Sequence, residues 1–182
     1  MSTMTLADQT TSTSRLAMVS HIAGLMLQCT SLGMPYWKVF PAAGGNIFQG
    51  LWQTCSTSRL QGTDVFCEDS VLLANPVLLH VVRGLEVLGL ALEVAAFVII
   101  LCYVTGCSNK RNLITCSTCC LLAATSVIVG SAIYGNTDAA LFPGKLTWGY
   151  YLSFAGAAFC VLSGILFIVE HVRRRQGYTP IA

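Results

Sequence analysis

Residues 85–105 read LEVLGLALEVAAFVIILCYVT, an apolar run broken only by Glu86 and Glu93 among acids and bases. About 20 such residues in an α-helix rise about 30 Å, the thickness of bilayer hydrocarbon. Outward from this stretch lie three more runs of the same kind: Leu16 to Met34, Leu113 to Tyr134 and Trp148 to Val172. Over its 182 residues the chain is 54% hydrophobic and 10% charged, where an ordinary soluble domain carries about 25% charged residues. The sequence therefore predicts an all-α membrane protein, with transmembrane helices over about 16–34, 85–105, 113–134 and 148–172. Residues 1–182 form one domain, and loops over about 35–80 and 135–147 share one side.

Charge sets the orientation. Arg15, Lys110, Arg111 and the run Arg173-Arg174-Arg175 fall on one side, against Lys38, Arg59 and Lys145 on the other. The positive-inside rule then places both termini in the cytosol and the protein in the plasma membrane as a multi-pass chain. A polar Ser/Thr-rich leader precedes the first span, and Leu32-Gly33-Met34 is a poor cleavage site, so the span is expected to be retained rather than removed as a signal peptide. A net charge of +2 gives no reason to expect nucleic acid as a partner. The basic cluster orients the chain and meets lipid headgroups instead.

Between the first two spans, Trp37 to Phe40, Ile47 to Cys55 and Asp64 to Cys67 read as short β segments, with Gly44-Gly45-Asn46 and Gln61-Gly62 as turn signals. An isolated hairpin is marginal in water and needs a staple. Cys55 and Cys67 face the oxidising exterior, and a disulfide between them would contribute about 3 kcal/mol in the chain-entropy model. The alternative is two free thiols. Trp52 and Leu51 beside it either seat the sheet on the outer leaflet or form an exposed binding patch, and Trp37 and Trp148 mark interface ends. Cys102, Cys107, Cys116, Cys119 and Cys120 cluster toward the cytosolic ends of the second and third spans. Cys102 and Cys107 are juxtamembrane candidates for S-palmitoylation.

Polar residues inside the spans carry further expectations. Arg83 stands three residues before Glu86, at a spacing that allows an i,i+3 ion pair at the interface. Glu93 lies roughly 15 Å deeper, by about 1.5 Å per residue, and an acid at that depth must be protonated or paired. Counted from the span midpoints, Gln28 lies at a similar level, with Thr125 and Ser126, so a Glu93 to Gln28 hydrogen bond is expected. His21 and His80 have no carboxylate or thiol at metal-ligand spacing and read as polar interface residues. Small residues four apart, Ala91 with Ala95 and Gly156 with Cys160 and Gly164, read as close helix contacts. With no nucleophile–base pair, phosphate-cradling loop or metal set, a non-catalytic protein without cofactor or metal is expected.

Pro35-Tyr36-Trp37-Lys38-Val39, Asn46-Ile47, Gly50-Leu51-Trp52, Cys55 and Cys67, then Asp69-Ser70 through Leu72 and Leu73 to Pro76 and Arg83, resemble in order the first extracellular segment of the claudins. Trp52 to Ser58 and Trp148-Gly149-Tyr150-Tyr151 are similar to the peripheral myelin and epithelial membrane proteins of the same tetraspan superfamily. The resemblance implies a left-handed four-helix bundle carrying a small extracellular antiparallel β-sheet, one strand of which comes from the second outside loop. It implies Arg83 as a brace between sheet and bundle. It also implies homotypic or heterotypic association with claudin-like proteins, in cis and in trans, at tight-junction-type cell contacts that form a paracellular barrier or ion-selective pore. A non-junctional tetraspan that organises membrane or assists a channel is the alternative. Glu68, directly after Cys67, matches a position that faces the pore in some cation-selective claudins, with Asp64 and Asp69 beside it; the other reading is a solvated acidic turn. Residues 178–182 lack the Tyr-Val ending that claudins offer to PDZ scaffolds, so no PDZ partner is implied.

Overall fold

The computed structural model of the protein describes residues 11–42, 45–57, 65–69, 76–105, 112–136 and 144–176. Among these residues four helices, α1 (Ser12–Gly33), α2 (Pro76–Val104), α3 (Asn112–Asn136) and α4 (Trp148–Arg175), are long and apolar enough to cross a membrane. Thr11 begins α1, its hydroxyl oxygen accepting from the Ser14 amide at 3.2 Å, which satisfies one of the donors that every helix start leaves open. α2 starts at Pro76, well ahead of the expected Leu85. Proline suits a first helical turn because no helix carbonyl is available there for the amide it lacks. The helix thus runs beyond its apolar stretch toward the sheet, which displaces its midpoint from the expected one.

The buried positions of each helix recur every three and four residues. In α1 they are Ser14, Ala17, His21, Gly24, Gln28 and Ser31; in α2, Val82, Glu86, Gly89, Glu93, Ala96, Ile100 and Tyr103. α3 buries Leu113, Cys116, Cys120, Ala123, Val127, Gly130 and Tyr134, and α4 buries Gly149, Ser153, Gly156, Cys160, Ser163, Phe167 and Glu170. A repeat averaging 3.5 residues keeps one seam inward only if the helices coil left-handedly about one another. The interior seam is small and polar, while Leu16, Val19, Ile22 and Met26 point outward. That inversion is what lipid permits, since apolar side chains gain nothing by leaving it.

Small residues bring the backbones together. A Cβ at Gly24 would lie 3.1 Å from the Gly156 carbonyl, and one at Gly89 would lie 2.5 Å from Val127 Cγ2. Ala91 and Ala95, read from sequence as a packing pair, are exposed; the inward face of α2 carries Gly89 and Ala96 instead. Hydroxyls bond across the same seams: Ser20 to the Phe159 carbonyl at 2.9 Å, Ser163 to Ala17 at 3.0 Å and Ser117 to Gly164 at 2.8 Å.

Five strands, β1 (Lys38–Ala42), β2 (Gly45–Gln49), β3 (Gln53–Thr57), β4 (Val65–Asp69) and β5 (Lys145–Leu146), form one antiparallel sheet in the order β4-β3-β2-β1-β5. The segment expected as one strand from Ile47 to Cys55 is two, because Gly50, Leu51 and Trp52 turn the chain, with the Gly50 amide donating to the Gln53 carbonyl at 2.8 Å. A Cβ at Gly50 would lie 2.6 Å from Pro35 Cα and 2.7 Å from the Met34 carbonyl. Both neighbours are backbone and cannot step aside cheaply. Gly50→Ala is therefore expected to lower stability by about 1–3 kcal/mol, the usual range for overpacking, read as a lower melting temperature in detergent. An unchanged melting temperature would mean that the turn yields freely.

Candidate functional site

The sheet is fastened to the bundle by Trp37, Leu51 and Arg83. Trp37 is wholly buried, its indole Nε1 donating to the Ser31 carbonyl at 2.8 Å, edge-on to Tyr134 at 5.1 Å and to Tyr150 at 6.1 Å. It packs with Leu32, Leu51, Leu79, Val82 and Tyr134 in an apolar cluster between sheet and helices. Trp37 therefore does not anchor a membrane interface as expected; the protein encloses it. Trp148 is exposed, as an interface anchor would be. Leu51 is buried in the same cluster and seats the sheet, while Trp52 is 43% exposed with the Arg83 guanidinium 5.2 Å from its ring centroid.

Arg83 donates from Nε to the Leu51 carbonyl at 2.7 Å, so it holds the Gly50-Leu51-Trp52 turn. The expected ion pair between Arg83 and Glu86 does not form. Glu86 is fully buried one turn along and accepts from Gln28 Nε2 at 2.6 Å and from the Ser131 hydroxyl at 2.8 Å, with the Ser153 hydroxyl 3.0 Å from that of Ser131. Gln28, Glu86, Ser131 and Ser153 come one from each helix. The expected Glu93 to Gln28 bond is thereby corrected, since Gln28 is level with Glu86. Depth counted from an α2 that began at Leu85 misplaced Glu93 by about two turns. Thr125, expected at this level too, is exposed and bonds back to its own helix at the Leu121 carbonyl.

Seven residues back along α1 and seven onward along α2 and α4 stands a second polar layer, about 10 Å away by helix rise. It comprises His21, Glu93, Cys120 of α3 and Cys160, all buried. The His21 ring has Nε2 3.1 Å from the Glu93 backbone carbonyl and Nδ1 3.6 Å from Cys120 Sγ. Ligand atoms of His21, Cys120 and Cys160 lie within 4.8 Å of one another. His21 was expected to be a polar interface residue without thiols near it. Folding brings two thiols to it from positions about a hundred and more residues away, a distance no local spacing rule spans. His80 is exposed, as expected of a residue at an outer edge.

The disulfide joins Cys55 to Cys67 directly across β3 and β4, with the Cα atoms 4.1 Å apart. β4 lies at the edge of the sheet and all five of its residues are exposed, including Val65 and Phe66. Glu68 pairs with Thr54 and shares a face with Phe66; Asp69 pairs with Gln53 and points to the opposite face with Cys67. Adjacent strand positions alternate, so Glu68 and Asp69 do not line one path from the same strand. Asp64 and Cys107 lie outside the described residues. Cys102 is exposed near the end of α2 farther from the sheet, and Cys29 is exposed on α1.

At the far end of the bundle Glu170 joins α1 and α4, accepting from the Thr11 hydroxyl at 2.7 Å and pairing with Arg174 at 2.6 Å. Arg174 also stands over the Tyr103 ring at 5.5 Å, and Arg173 donates to Thr13 at 3.1 Å. The basic run is thus partly spent in bracing three helices.

Comparison with known proteins agrees with this architecture. The chain is 28% identical to mouse (Mus musculus) Claudin-1 over 180 aligned residues, covering 82% of each chain. The sequence profile of the PMP-22/EMP/MP20/Claudin family matches residues 13–167, from the first turn of α1 to well inside α4. With four apolar helices and the five-stranded sheet in that span, the chain is a multi-pass membrane protein that belongs to the PMP-22/EMP/MP20/Claudin family.

Proposed function

We propose that this protein is a claudin-like cell-contact protein of the tight-junction type, resident in the plasma membrane with the sheet outside the cell and both termini in the cytosol. Arg173, Arg174 and Arg175 lie at the end of α4 remote from the sheet, and the positive-inside rule supports that orientation. The observation that carries the reading is β4. A strand with no further strand beside it among the described residues and with exposed Val65 and Phe66 is a template for another chain, and the disulfide holds it in register. Neighbouring copies or claudin-like relatives dock there in the same membrane and across the intercellular gap, while lipid covers the helices. Similarity to mouse Claudin-1 supports the same reading. The reading assigns no catalytic step.

Where such contacts enclose a narrow wet path, Glu68 selects for cations, because low-dielectric walls focus the field of a carboxylate. Glu68→Gln is expected to reduce the preference for sodium over chloride in dilution potentials across an expressing monolayer, and Asp69→Asn, on the opposite face, to leave it nearly unchanged. Equal effects of the two would remove Glu68 as the selective group.

Mixing tagged expressing cells with non-expressing neighbours, in a line without junction strands of its own, tests the contact itself. The protein is expected to collect only where two expressing cells touch, and Phe66→Asp to abolish that enrichment while surface delivery persists. A uniform surface distribution of the unmodified protein would sink the proposal and favour a tetraspan that organises membrane or assists a channel.

A further inference from the structure

We propose that His21, Cys120 and Cys160, with the carboxyl of Glu93 beside them, bind a thiophilic divalent ion of the zinc class in the interior of the helix bundle. The four residues come from α1, α3, α4 and α2 respectively. A tetrahedral ion with Zn–S near 2.3 Å and Zn–N near 2.0 Å needs ligand atoms roughly 3.5–3.8 Å apart. Cys120 Sγ and His21 Nδ1 are 3.6 Å apart, and Cys160 Sγ lies within 4.8 Å of Cys120 Sγ and of a His21 ring nitrogen. A shift of about 1 Å by one side chain would close the set, well within what a rotamer adjustment supplies.

The histidine is already oriented as a ligand. A backbone carbonyl can only accept, so the contact from Nε2 to the Glu93 carbonyl at 3.1 Å fixes the proton on Nε2. Nδ1 of the neutral ring then presents its lone pair to the thiols. Metal-binding histidines are held in this way, by a hydrogen bond from the nitrogen that does not bind the metal.

Glu93 is the second, independent observation. It is fully buried, and neither carboxyl oxygen accepts a well-formed hydrogen bond among the described residues, the neighbouring Cys160 thiol donating instead to the Cys120 carbonyl at 3.3 Å, although Glu86, one layer away, is satisfied at both oxygens. The side chain nevertheless lies beside the Cys160 thiol, within electrostatic reach of His21 and Cys120. An acid left unbonded inside lipid is costly, and a water on the ion's open fourth position would supply the missing partner. Charge also balances: two thiolates and a neutral imidazole around a divalent ion sum to zero, and a protonated Glu93 beside them adds none. Two thiol protons leave as the ion enters, and the buried site stays neutral. Exposed Cys29 and Cys102 have no part in it.

The full-length protein, extracted in detergent from cells supplied with zinc, is the sample for the test. The expected content is close to one zinc per chain, and X-ray absorption at the zinc edge is expected to report two sulfur ligands near 2.3 Å and two lighter ligands near 2.0 Å. Cys120→Ser and Cys160→Ser should each lower the content at least about tenfold, whereas the double change Cys29→Ser with Cys102→Ser should leave it intact. The spectrum of the unmodified protein stands even where a variant fails to fold. Absence of stoichiometric zinc, or zinc held by nitrogen and oxygen alone, would overturn the site. Copper recovered with the same sulfur ligands would overturn the assignment to a divalent ion.

Discussion

Trp37→Ala is expected to remove about 3–5 kcal/mol of stability, the range for truncating a large buried aromatic. Trp37 has no exposed surface and sits where Ser31 of α1, Tyr134 of α3 and Tyr150 of α4 meet the sheet. Truncation opens a cavity at that junction and leaves the Ser31 carbonyl without the indole N–H, so sheet and bundle lose their common core together. The protein should then be retained inside the cell, and in detergent its melting temperature should fall by many degrees. Trp52→Ala supplies the contrast, because Trp52 is partly exposed and its loss should cost far less. Equal effects of the two would mean that the buried cluster does not fasten the sheet.

Replacing Cys55 and Cys67 together by serine is expected to cost about 2–5 kcal/mol, the usual loss when a native disulfide is removed from a small extracellular unit. The bond joins β3 to the edge strand β4, all of whose residues are exposed, so little apolar burial remains to hold β4 in place. The loss should be local. The helices should keep their melting transition while protease sensitivity appears at β4. Reductant added to the unmodified protein should reproduce the pattern. Protease resistance of the double variant equal to that of the unmodified protein would show that β4 pairs without the staple.

Helices were legible in the sequence because their signal is crude: length and apolarity. The sheet was legible through its short β segments, except at Gly50, where Leu51 continues the apolar pattern across a turn; the expected turn residues Gly44, Gln61 and Gly62 lie outside the described residues. Trp37 was misread for a physical reason. Tryptophan favours a membrane interface, and nothing local distinguishes an interface from a pocket that Tyr134 and Tyr150 close from distant parts of the chain. The interior of the bundle was misread for a second reason. Lipid takes the apolar faces, so the inward seam consists of serines, glycines, Gln28, Glu86 and Glu93 at alternating steps of three and four. That pattern was present in the sequence, and following it in place of hydrophobicity would have paired Gln28 with Glu86. The meeting of His21 with Cys120 and Cys160 depends on the relative heights of three helices, which composition and spacing do not contain.

Docking through β4 is the central claim, and a zero-length test of it is a photo-crosslinking amino acid at position 66 in two cell populations carrying different tags. The account predicts an adduct containing both tags after the populations are mixed and illuminated, and none when the probe stands at the lipid-facing position 122. An unchanged monomer at position 66 under the same illumination, with the protein present at the surface of both populations, would contradict it.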